Sequence, residues 1–156
     1  MTIIGLDKLN RKLKTIPREA ETAAKDAVVK GANEIAALQR SLVPVVDGDL
    51  QDSIHVTNPG ESTPPYSQPG GQRTAKDLEA IVTAGNSKVR YAHLVEFGTA
   101  QHVNAGIFAG TKNPGTTARP FFWAGFRALR KRVKSRITRS INKAVREAAQ
   151  KGGTNP

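Results

Sequence analysis

Apolar residues recur along this chain at two periods. Leu6, Leu9, Leu13 and Ile16 are three or four apart, which places them on one side of a helix. A second stripe follows: Ala24, Val28, Gly31, Ile35, Leu38 and Leu42. Between the two, Thr15 suits a cap, Pro17 suits a first turn, and Glu19 and Glu21 complement a positive helix end. The pattern predicts a short helix up to Ile16 and a long one from Pro17 to Leu42, ended by Pro44. The long one is rich in small residues (Ala23, Ala24, Ala27, Gly31, Ala32, Ala36, Ala37), which permit close approach of another element. From Ser53 to Thr57 the period becomes two, as in a half-buried strand, and Asn58-Pro59-Gly60 stops it. Leu78 to Ala84 reads as a second strand, closed by Gly85-Asn86-Ser87. Val89 to Phe97 fits either a strand or a turn into a short helix, the latter with Tyr91, Leu94 and Phe97 on one side. Helical spacing returns from Arg119 to Gln150, with Phe122, Phe126, Leu129, Val133, Ile137, Ile141, Ala144, Val145 and Ala148 as the stripe. Gly152-Gly153 ends it, and residues 152–156 are expected to fray.

Two segments break the periodicity. Residues 58–76 contain Pro59, Gly60, Pro64, Pro65, Pro69, Gly70 and Gly71, and residues 100–117 contain Gly106, Gly110, Pro114 and Gly115. Both are expected to be flexible loops. The second one separates the apolar run Tyr91–Phe97 from the aromatic cluster Phe121, Phe122, Trp123 and Phe126. Large rings dominate cores and interfaces, so the stretch Tyr91–Phe121 is expected to be the hub of the fold. Three successive rings cannot share one helix side, so at least one is expected at a sheet edge or a partner.

Composition narrows the class. The chain has 156 residues, 38 % of them apolar, and a mean hydropathy of −0.42, which suits one modest core and a single domain over 1–156. It has no cysteine, hence no disulfide framework or thiolate metal site. No apolar stretch approaches a bilayer span, and Met1–Gly5 lacks the pattern of a secretory signal. The expectation is a protein made in the cytoplasm and free of membranes. Net charge is +11 with a pI near 10.4. Much of the excess lies in the last helix, where Arg127, Arg130, Lys131, Arg132, Lys134, Arg136, Arg139, Lys143, Arg146 and Lys151 face one acid, Glu147. Arg127, Arg130, Lys131, Lys134, Arg139 and Lys143 are the candidates for contact with DNA phosphates or with an acidic protein surface. No motif for reading DNA sequence is present.

Catalytic constellations are absent from the pattern. No serine lies in a nucleophile elbow, no glycine-rich segment spells a phosphate loop, and His55, His93 and His102 do not fall in a zinc spacing. No cofactor or metal is expected, and no enzyme. Glu96 stands inside an apolar run, where a carboxylate needs a partner. An ion pair with Arg119 or Arg90 is the expected solution.

Three motifs then stand in order: Pro44-Val45-Val46-Asp47-Gly48-Asp49-Leu50-Gln51-Asp52-Ser53-Ile54, Tyr91-Ala92-His93-Leu94-Val95-Glu96-Phe97-Gly98-Thr99, and Ala118-Arg119-Pro120-Phe121. In this order they resemble the head–tail joining, or neck and tail-completion, family of long-tailed bacteriophages, over about residues 5 to 145. Gly48, Leu50, Ser53, Ile54, Tyr91, Glu96, Phe97, Gly98, Thr99, Arg119, Pro120 and Phe121 carry the likeness. The second motif is the most specific. Asp47 stands where the family commonly has Thr, and the two loops are long. The resemblance implies an α+β fold: a small antiparallel β-sheet packed by a long N-terminal helix and a basic C-terminal helix. It implies a non-catalytic virion protein at the head–tail junction, in a homo-oligomeric ring of about six copies. Its partners would be a head-completion protein and a tail terminator or tail tube protein, with non-specific contact to packaged DNA. The alternative from charge alone is a general basic DNA-binding protein.

Overall fold

A computed structural model describes residues 6–151, with side chains from Ile16 to Gln150. Two long helices dominate it: α1, Leu6–Leu42, and α4, Phe122–Lys151. Between them lie α2 (Asp49–Asp52), β1 (His55–Thr57), β2 (Ile81–Thr83), α3 (Ala92–Phe97), β3 (His102–Val103) and β4 (Lys112–Asn113). The class is α+β.

The two helices are antiparallel and tightly apposed. A Cβ on Gly31 would stand 2.4 Å from Val133 Cγ1, and one on Gly125 would stand 2.8 Å from Gln39 Cγ. Small residues at these two positions therefore set the helix separation. Around them Ala24, Ala27, Ala32, Ile35 and Ala36 of α1 are buried, as are Phe122, Val133 and Ala148 of α4. Gln39, 1 % exposed, donates from Nε2 to the Phe122 carbonyl at 2.9 Å. Arg136 and Glu34 form an ion pair across the same seam.

The predicted break before Pro17 does not occur: α1 runs through it as one helix of 37 residues. An interior proline removes one N–H and crowds the preceding turn, at about 3 kcal/mol. The antiparallel register brings the last turns of α4, with buried Ala148, alongside this region, so continuing the helix keeps apolar surface covered. The Leu6, Leu9 and Leu13 side chains, and the fraying expected at 152–156, lie outside the described residues. At the other end α4 begins at Phe122, three residues after the predicted Arg119.

The predicted sheet is two separate antiparallel pairs among the described residues: β1 with β2 (Val56 opposite Val82) and β3 with β4 (His102 opposite Asn113). The second strand is shorter than its apolar run, because Leu78 sits in a turn closed by Glu79 N–H on the Lys76 carbonyl. Residues 58–76 form no long strand, yet they are stitched. Thr63 and Gly60 N–H donate to the Arg73 and Ala75 carbonyls, and Thr63 and Ser67 are buried.

The core sits where these pieces meet the α1–α4 pair. Ala36, Val43, Leu50, Ile54, Ala84, Val89, Ala92, Phe121 and Phe122 pack together. Phe121 is the largest of the fully buried side chains, at 1 % exposure. The hub prediction holds for Phe121 and Phe122 and fails for Tyr91, Phe97 and Phe108, which are exposed. Helix α3 buries Ala92 and Glu96 instead, one turn apart, and its apolar side, Tyr91, Leu94 and Phe97, faces outward.

Candidate functional site

Each motif adopts a conformation that its residues dictate. In the first, Gly48 takes φ 85° at the start of α2, a left-handed value that glycine adopts without penalty. Leu50 and Ile54 then enter the core. Ser53 is buried between them: its Oγ donates to the Leu50 carbonyl at 2.7 Å and accepts the Gly85 N–H at 3.0 Å. One hydroxyl thereby ties the turn to the end of β2. Arg40 Nη2 reaches the Ile54 carbonyl and anchors the turn to α1.

In the second and third motifs the decisive group is Glu96. Its carboxylate is 5 % exposed and accepts three backbone N–H groups, from Phe121 and Phe122 at 2.8 Å and from Trp123 at 3.1 Å. These belong to the residue just before α4 and to its first two residues, N–H groups that have no partner within the helix. A negative charge at this end also suits the helix dipole. The expected ion pair with Arg119 or Arg90 is therefore corrected: among the described residues Glu96 makes no salt bridge. Arg90 instead lies 4.0 Å above the Tyr66 ring, and Arg119 uses its backbone N–H, on the Val95 carbonyl at 2.8 Å. A distant residue of α3 does what Ser or Asp commonly does at a helix start, because Pro120 and Phe121 offer no side-chain acceptor there.

Gly98 ends α3 at φ 71°, ψ −179°, a region open essentially to glycine alone. A Cβ there would meet the Thr116 carbonyl at 2.5 Å. Thr99 and Thr116 pair by two backbone hydrogen bonds and by their hydroxyls, 3.1 Å apart. This clasp starts a hairpin over residues 99–116, with β3 and β4 as its arms.

The motifs converge on one open cleft of about 700 Å³. It is lined by Val43, Val46, Asp47, Asp49 and Leu50 of the first motif, by Tyr91, Leu94, Val95 and Thr99 of the second, and by His102, Thr116 and Arg119. Val46 is 89 % exposed, and Tyr91 and Leu94 are about two-fifths exposed at 41 % each. The cleft is thus apolar inside and wet at its rim. Asp49 holds Lys88 at 2.9 Å, and that bond lifts the Lys88 ammonium above the usual lysine range. Asp47 has no ion-pair partner among the described residues. Phe97 and Pro120 stand at the surface outside this cleft.

The six basic candidates are all exposed on α4. Helical rotation divides them: Arg127, Arg130, Lys131 and Lys134 gather on one side, while Arg139 and Lys143 lie on another with Arg146. Lys143 approaches Glu147 at 3.8 Å, and both are well exposed. Of the aromatic cluster, Trp123 turns outward and packs edge-on against Phe122 and Phe126. No group of three or more His, Asp or Glu side chains among the described residues could hold a metal. None of the helices described is long and apolar enough to cross a membrane.

Two features escaped the sequence pattern. One is the hairpin tip, where Ile107 is 97 % exposed and Phe108 69 %. Its signal was an apolar pair standing alone between Gly106 and Gly110. The other is the Thr99–Thr116 clasp, which nothing in either threonine's neighbourhood announces.

A family model described as "Bacteriophage HK97-gp10, putative tail-component" matches residues 7–98. No curated protein and no solved structure matches the chain. The matched part holds α1, the Gly48 turn, the β1–β2 pair and α3 through Gly98; the hairpin, the Ala118–Phe121 motif and α4 lie beyond it. More than half of the chain is covered, including the first motif and the second as far as Gly98, and the chain belongs to this HK97-gp10-like family of phage tail components.

Proposed function

We propose that this tail component works at the head–tail junction, joining or completing the tail as one copy in a ring of about six. The residues 1–156 act as one domain, and the role is assembly rather than catalysis. Its neighbours are a head-completion protein on one side and a tail terminator or tail tube protein on the other, in a virion assembled in the bacterial cytoplasm. The observation that carries this reading is the convergence of three separated motifs on one cleft with uncovered apolar side chains. Contiguous exposed apolar surface marks a place where another protein sits. The motif residues Gly48, Ser53, Glu96, Gly98 and Thr99 act by shaping that surface, since each holds backbone in place and none offers reactive chemistry to it.

The two basic sides of α4 support contact with a polyanion. In a ring, Arg127, Arg130, Lys131, Lys134, Arg139 and Lys143 meet either an acidic neighbour or the DNA that threads the junction, without reading its sequence. General DNA binding apart from any particle is the second reading, favoured by the same charge. Removal of the gene product from the phage or prophage that encodes it separates the two. Lysates viewed by electron microscopy should then hold filled heads and separate tails. Joined, infectious particles in its absence would refute the junction role.

A further inference from the structure

We infer that the occupant of the cleft is the hairpin tip of a second copy of this chain, so that copies link head to tail. This rests on the junction reading of the cleft and names the partner there. Three observations carry it. The tip presents Ile107, 97 % exposed, and Phe108, 69 % exposed, left largely uncovered by the described residues of their own chain. The base of that arm is fixed by the Thr99–Thr116 clasp, and a Cβ on Gly115 would stand 2.3 Å from the Thr99 carbonyl, so the arm leaves the body in a set direction. The base lines the cleft through Thr99, His102, Asn113 and Thr116, while Ile107 and Phe108 at the tip are outside its lining and exposed.

Charge selects the same pairing. The chain carries +11, and two copies repel unless their contact avoids α4. Residues 43–54 carry Asp47, Asp49 and Asp52 and no base, whereas the hairpin 99–116 carries Lys112 and no acid. Of these acids Asp47 and Asp49 line the cleft, Asp49 already holding Lys88, so an apolar tip on an arm that carries Lys112 faces an apolar cleft in which Asp47 is the acid without an ion-pair partner among the described residues. Because tip and cleft are different surfaces of one chain, the contact is heterologous, and a heterologous contact closes into a ring when its rotation allows.

The absence of cysteine from the chain gives a clean test. The full-length double variant Val46→Cys with Ile107→Cys is introduced into the phage, and purified particles are oxidised and run without reductant. A ladder of cross-linked copies of this chain is expected, with none from either single variant. Adding Phe108→Asp should lower the cross-linked fraction by about tenfold, the effect on association of losing a modest apolar contact. Joined particles without the ladder would overturn the self-docking and leave the junction reading intact. So would a link from residue 46 to a different virion protein, or a dimer from Ile107→Cys alone. Particles that join without this chain on board would remove the junction reading, and the self-docking with it.

Discussion

Glu96 shows how one side chain can hold two elements in register. Its carboxylate takes the N–H of Phe121, just before α4, and the first two N–H groups of α4, and it sits on α3, so the start of one helix is defined by the body of another. Replacing Glu96 by Ala leaves those buried donors unpaired, which costs about 1–3 kcal/mol. Glu96→Gln keeps one acceptor oxygen and should lose less. Urea unfolding of the two variants beside the parent checks the order; equal stability of all three would show that the cap is not a structural support. The carboxylate's need for a partner was legible in the sequence, because a charge inside Tyr91–Phe97 must be satisfied. The partner was not, because backbone N–H groups carry no residue signature. An arginine two positions before the ring cluster was the visible candidate, and it spends its backbone on Val95 instead.

Among the elements, α1 and α4 were the most legible, since stripes of this length leave few alternatives to helices. Their antiparallel contact was implied only by the small residues, and its register by none; Gly31 against Val133 and Gly125 against Gln39 fix it. The break expected at Pro17 failed because tertiary cover outweighs a local penalty. The outward Tyr91–Leu94–Phe97 side of α3 was read from spacing, but spacing cannot say whether an apolar side faces the core or a partner. The Glu34–Arg136 pair gives the helix seam a pH dependence. The Arg136 hydrogen bond holds the Glu34 carboxyl below its usual range; desolvation opposes it, and the charges of Arg136 and Arg132 add smaller lowering contributions. A carboxyl with a lowered folded-state pKa binds its proton more weakly when folded, so its stabilisation is complete above its unfolded pKa and fades as pH falls towards the folded one. Stability should therefore drop on acidification below about pH 4, the ordinary glutamate range. In Glu34→Gln that part of the drop should be missing when melting temperatures are compared from pH 7 to pH 3. An unchanged pH profile would show that the pair contributes nothing across the seam.

At the scale of the molecule, the chain places its chemistry in two districts. Positive charge occupies two exposed sides of α4, and uncovered apolar surface collects around the cleft and the hairpin tip. The sequence exposed the first through composition alone. The second required three-dimensional placement, because residues near 46, 94, 107 and 119 come together or stand apart only once the clasp and the Glu96 cap are formed. The family match ends at Gly98, and the hairpin and α4 lie beyond it.

The most direct measurement of the cleft's role is complementation of a phage lacking this component with the Val46→Asp, Leu94→Asp double variant. Both side chains are exposed in the cleft, so the variant should unfold at the parent temperature while its cleft carries two buried-on-contact charges. The expected result is unjoined heads and tails at the level of the deletion itself. Folded variant protein that restores joined particles to the parental count would contradict the claim that this cleft is the working contact.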